Sequence, residues 1–306
     1  MVDVALIEPD DVRPDLFVGC VGYEQRSLQA LKNLVECGYD GEAIVFDYQS
    51  GDLHSYLANI ESACLGNAEL IDDFDSLLEC FCEKLTSKQE TSILLDVTSL
   101  DREKIALLFK AIFENTGHVS SVTVCYFPRE FSEPSHRLDI VQAFGPVLPA
   151  FIGEASFSRE SLALIIGAGY EYGRAVGAID LLEPDRIYCL SPVGTDPRFE
   201  REIEKNNLDF SFLEEGELLQ RYDLLKPEAL FYEIRRIVEF ETQERSVLIL
   251  PLGPKIFAAV SLIVALLLHP SVMVWRHSTA TKFAPASTDD ARASGVDIRL
   301  AFRFTD

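Results

Sequence analysis

Basic residues are scarce in this chain. Its 306 residues hold 27 lysines and arginines against 50 acids, a formal net charge of −23. A surface of that sign repels the phosphate backbone of a duplex, so direct duplex nucleic-acid binding is not expected. No Cys-x-x-Cys pair occurs among the seven cysteines Cys20, Cys37, Cys64, Cys80, Cys82, Cys125 and Cys189. An odd count without such spacing predicts reduced, mostly buried thiols in a cytoplasmic protein, with neither a disulfide framework nor a zinc site. Long apolar runs are missing as well. The most apolar stretch, Ile256 to Leu268, has Ser261 inside it and is too short for a bilayer span. The acidic stretch Met1 to Pro14 has no apolar core of a signal peptide, so no membrane partner is expected.

Catalytic signatures are lacking too. None of His54, His118, His136, His269 and His277 lies in a Gly-x-Ser-x-Gly context or a His-x-x-x-His spacing, and no Gly-x-x-x-x-Gly-Lys-Ser/Thr loop occurs. Gly167-x-Gly169-x-x-x-Gly173 is a loosened dinucleotide fingerprint. The acid that should close the next strand is absent, because Leu190-Ser191 stands there. No nicotinamide, flavin or other cofactor is therefore expected.

What is present is a repeat, the first thing to seek in an unfamiliar chain. Val18-Gly19-Cys20-Val21-Gly22-Tyr23-Glu24-Gln25-Arg26 matches Ile165-Ile166-Gly167-Ala168-Gly169-Tyr170-Glu171-Tyr172-Gly173-Arg174: a β-branched strand, Gly-Tyr-Glu, an arginine, then a helix-like stretch. Ala43 to Tyr48 matches Arg186 to Ser191, and Ser92 to Asp96 matches Ser246 to Leu250. The helices opening at Lys104 and Lys255 match, as do Ser121 to Tyr126 and Ser271 to Arg276. The offsets stay between 143 and 154 residues. Short continuous apolar strands alternating with helices at Ser27 to Cys37, Asp101 to Asn115 and Ile256 to Leu268 predict parallel sheets covered on both faces. The expected architecture is α/β: two tandem Rossmann-like three-layer units, residues 1–147 and 148–306, arranged as a pseudo-dimer around a shared cleft. Gly145, Pro146, Pro149 and Gly153 punctuate the join. Ala284 to Gly295 reads as a late loop and Val296 to Phe304 as a final strand.

Open parallel sheets bind ligands beyond the carboxyl ends of their strands, where strand order reverses. The loops of interest are thus Gly19 to Ser27 and Asp96 to Lys104 in one half, and Gly167 to Ala175 and Pro251 to Lys255 in the other. Arg26 and Arg174 can grip a phosphate or pair with Glu24 and Glu171. Tyr23 and Tyr170 can stack on a base or pack at the rim. Gly22, Gly169 and Gly253 let backbone approach a ligand. Thr98, Ser99 and Arg102 lie beside a helix start where anions are favoured, with Ser99 or Asp101 as its cap. Lys255 and Lys104 offer positive charge, to a phosphate or to solvent. Asp96 closes its strand as a candidate general base or magnesium ligand, or as the anchor of its own turn.

The loops Thr98-Ser99-Leu100-Asp101-Arg102 and Leu252-Gly253-Pro254-Lys255, each running into an apolar helix, together with the small and polar first-strand loops, resemble the CARF domain (CRISPR-associated Rossmann fold). They stand where that family has a Gly-Gly-Thr-Lys-like loop. The resemblance implies a nucleotide-sensing module that binds a cyclic oligonucleotide in prokaryotic antiviral defence, with a protein partner supplying the output. Two other classes remain open from the residues themselves: an enzyme acting on a nucleotide or nucleoside, such as a phosphodiesterase or transferase, and an acidic protein-interaction scaffold.

Overall fold

Uninterrupted apolar segments form the middle of each sheet, as strands covered on both faces require. The computed structural model describes residues 2–9, 13–133, 141–153, 161–169, 173–207, 218–278 and 290–305. The chain divides into two units, Met1–Glu130 with Lys282–Asp306, and Phe131–Thr281.

The first unit runs β1 (Asp3–Ile7), β2 (Leu16–Val21), α1 (Gln29–Glu36), β3 (Glu42–Asp47), α2 (Tyr56–Leu65), β4 (Glu69–Ile71), α3 (Phe74–Thr86), β5 (Thr91–Asp96), α4 (Arg102–Glu114) and β6 (Val119–Tyr126). The second runs β7 (Ala143–Pro146), β8 (Leu162–Gly167), α5 (Arg174–Leu182), β9 (Arg186–Val193), α6 (Pro197–Asn206), β10 (Leu218–Asp223), α7 (Pro227–Glu241), β11 (Ser246–Pro251), α8 (Lys255–Leu267) and β12 (Val272–Ser278). The chain then returns to the first unit as β13 (Ile298–Thr305).

The strand orders are β1-β13-β6-β5-β2-β3-β4 and β10-β9-β8-β11-β12-β7. Read from the first parallel strand of each unit, β2 or β8, both sheets contain the same parallel series: third, second, first, fourth, fifth. The repeat therefore extends from sequence to topology. Both units are α/β and Rossmann-like, and each mostly parallel sheet carries antiparallel strands on one side. In the first sheet these are β13 against β6 and β1 against β13; in the second, β7 against β12.

Those antiparallel strands move the expected boundary. The division does not fall at 147/148, because β7 pairs with β12 and so belongs to the second unit. Nor is the second unit contiguous to the C-terminus. The last strand, expected in the second half, lies between β1 and β6 in the first. The third parallel strands, β4 and β10, join the strands that the repeat already identified.

Helix starts follow local chemistry. Of the two candidate caps for α4, Asp101 fills the role, its Oδ1 accepting from the Lys104 N–H at 3.0 Å. Asp73 caps α3 in the same way. The apolar run Ile256 to Leu268 is α8, buried on nearly every face and packed against β11, β12 and α7. No helix among the described residues is long and apolar enough to cross a membrane. All seven cysteines are free thiols, but only Cys20, Cys125 and Cys189 are buried. Cys37 and Cys64 are exposed, and Cys80 and Cys82, on α3, are intermediate, so the expectation of mostly buried thiols does not hold.

Candidate functional site

In the first unit strand order reverses between β2 and β5, and the loops that leave these strands meet there. A Cβ on Gly22 would stand 3.2 Å from Ser27 Oγ and 3.9 Å from Ser99 Cβ. The Gly22 N–H donates to Ser27 Oγ at 3.1 Å, and that hydroxyl donates to the Cys20 carbonyl at 3.3 Å. Asn59, fully buried on α2, closes the turn from below. Its Nδ2 donates to the Gly22 carbonyl at 2.9 Å and to the Glu24 carbonyl at 2.8 Å. Lys32 Nζ in turn donates to Asn59 Oδ1 at 2.9 Å.

Arg26 sits in this turn, ahead of α1. Of its two candidate roles, the ion pair is what the structure displays. Its Nε lies 3.1 Å from Glu24 Oε2, another guanidinium nitrogen donates to the Phe127 carbonyl at 2.9 Å, and the residue is only 7% exposed. Ser99 Oγ donates to Glu24 Oε2 at 3.5 Å, tying the β5 loop to the β2 loop. The Tyr23 ring packs near His54, with centroids 5.9 Å apart.

Asp96 is 2% exposed and faces Gly19 across the β2–β5 pair, where a Cβ on that glycine would stand 3.5 Å from its own. Its Oδ1 accepts the Thr98 N–H at 2.9 Å, while Oδ2 has no hydrogen-bond partner. Burial pushes the carboxyl up to about 6, against the pull of the Thr98 hydrogen bonds. So enclosed, Asp96 anchors its own turn. Thr98 is also buried, its Oγ1 accepting the Phe127 N–H at 3.0 Å. Lys104, one candidate phosphate contact, lies 2.6 Å from Asp101 Oδ2 and over the rings of Phe46, Tyr48 and Phe74 at 5.0–5.3 Å. Although burial opposes it, hydrogen bonds from Lys104 and the Tyr48 hydroxyl, with the Lys104 charge, hold Asp101 below the usual carboxylate range. Arg102 is the first residue of α4 and half-buried.

In the second unit strand order reverses between β8 and β11, and the approach is closer still. The Leu252 and Gly253 N–H groups both donate to the Gly167 carbonyl, at 3.1 and 2.9 Å. A Cβ on Gly253 would lie 2.4 Å from the Ala168 carbonyl oxygen, so only glycine fits. Gly173, with φ of 71°, ends the first loop, and Arg174 opens α5 half-buried. Lys255 opens α8. Tyr170 and Glu171 lie outside the described residues.

Sequence reasoning missed the asparagines. Asn207, just past α6 and 1% exposed, donates from Nδ2 to the Gly169 carbonyl at 3.0 Å. Asn59 makes the same bond to Gly22, the glycine that Gly169 matches. The offset of Asn207 from Asn59 falls within the range of the other matches, and that was the available signal. Both units thus hold the turn after their first parallel strand with an asparagine amide on the equivalent carbonyl. Among the described residues no cluster of histidine, cysteine and carboxylate side chains could hold a metal ion. A comparison of the chain with protein-family models and with curated proteins finds no match.

Proposed function

We propose that the chain is a nucleotide-sensing module, binding a phosphorylated, nucleotide-type ligand beyond the carboxyl ends of its Rossmann-like sheets. The observation that carries this reading is the duplicated turn, placed in each sheet where strand order reverses and clamped by Asn59 or Asn207. Ligands of open α/β sheets bind at this place because backbone N–H groups and helix starts converge there. The resemblance to CARF domains narrows the ligand to a cyclic oligonucleotide and the setting to prokaryotic antiviral defence, with a protein partner as output.

Enclosure of Asp96, the candidate general base, favours recognition over catalysis. A thermal-shift panel of mononucleotides and of linear and cyclic oligonucleotides tests the reading. A ligand at about 100 times its Kd adds about 2.7 kcal/mol, which raises Tm by several degrees. Turnover of any panel member, followed by mass spectrometry, would instead make the chain an enzyme. A panel without any shift removes the sensor.

A further inference from the structure

We propose that residues 290–294 form a latch across the carboxyl edge of the first sheet, an autoinhibitory contact that must release before a ligand reaches the turn after β2. The segment is held at both flanks of β5. On the β2 side, Asp290 Oδ1 accepts the Gln25 N–H at 2.8 Å, Oδ2 accepts Ser55 Oγ at 2.9 Å, and the Ala291 carbonyl accepts the Arg26 N–H at 3.1 Å. On the β6 side, the Arg292 carbonyl accepts the Glu130 N–H at 2.9 Å and the Ser294 N–H donates to the Pro128 carbonyl at 2.9 Å. Ala293 bridges Arg129 in antiparallel fashion between them. Since the strand order is β6-β5-β2, a segment tied to both outer members crosses the end of β5, where strand order reverses.

Two features make this a latch rather than a structural strand. First, the turn that it closes leaves β2 where strand order reverses, and backbone N–H donors in such a turn are the ones that a ligand there would engage. A carboxylate and a carbonyl brought from the far end of the chain already take two of them. Lys32, on α1, donates to the Gln25 carbonyl at 3.4 Å. Second, the holding contacts are polar. Ala291 is buried and Ala293 packs against the core, but both side chains are single methyls and Arg292 and Ser294 are exposed, so release uncovers little apolar surface and local opening is inexpensive. That the covered edge is where ligand enters rests on the function proposed above; the latch contacts do not.

Hydrogen exchange on the full-length chain tests the proposal. In Asp290→Ala the Gln25 and Arg26 amides should exchange at least about tenfold faster, the scale of one lost charge-assisted hydrogen bond. The amides of β2 and β5 should be unchanged, and Asp290→Asn should fall between variant and parent. Inorganic phosphate should then slow the Gln25 and Arg26 amides in Asp290→Ala more than in the parent. Unchanged exchange in both variants, or uniform acceleration through the first sheet, overturns the latch. Local acceleration without any effect of phosphate supports the latch and counts against the phosphate-binding reading.

Discussion

Arg26 shows how a residue chosen for ligand chemistry can be held by its own fold. Its guanidinium is buried between Glu24 and the Phe127 carbonyl, so truncation leaves a carboxylate and a carbonyl without their partner. Arg26→Ala is expected to cost about 3–5 kcal/mol of unfolding free energy, measured by urea titration, and Arg26→Lys not to restore it, because lysine lacks the planar fork. Asp96 makes a different prediction. Its carboxyl is raised from 3.8 to about 6 in the folded chain, so the native state holds a proton that the unfolded chain has already lost. Stability from this group is full below about pH 4 and is lost as pH rises to about 6, by about 3 kcal/mol in all. Asp96→Asn should abolish that slope in a stability–pH profile; a slope that persists would assign it elsewhere. At this scale the sequence was legible in kind and not in role. The salt bridge of Arg26 to Glu24 and the turn-anchoring of Asp96 stood among the alternatives. Only burial, which depends on neighbours distant along the chain such as Phe127, decides between a ligand contact and a structural one.

Turns and strands carry the next level. The asparagine clamps are expected to act within their own units. Asn59→Ala removes two hydrogen bonds to turn carbonyls and the partner of Lys32, and should cost about 1–3 kcal/mol while speeding amide exchange near Gly22. Asn207→Ala should do the same near Gly169 and leave the Gly22 turn alone. Gly253→Ala brings a methyl against a backbone oxygen that cannot move aside, and a loss of about 1–3 kcal/mol should appear in thermal unfolding. Central strands such as β5 and β11 were readable because burial on both faces demands unbroken apolar runs. β4 escaped because its three residues, Glu69–Ile71, are largely exposed and carry no such run.

Across the whole molecule, the chain crosses back to complete its first sheet. β13 lies between β1 and β6, with Phe302 fully buried. Phe302→Ala should therefore cost about 3–5 kcal/mol. Exchange should accelerate in β5 and β6, 170 or more residues earlier, and leave β11 protected; acceleration in β11 would contradict the division into units. The alternating pattern of Val296 to Phe304 identified a strand but not its sheet. Pairing partners are set by tertiary contact, whereas local periodicity reports only which faces are covered.

The proposed function stands on nucleotide being sensed at the duplicated turns. Hydrogen exchange of the parent chain with and without a saturating nucleotide from the thermal-shift panel tests it most directly. The prediction is slowed exchange in segments 19–27 and 97–101 or in segments 167–169 and 252–255, with the amino ends of the strands unaffected. Protection confined to other surfaces, or none at a concentration that shifts Tm, would contradict it.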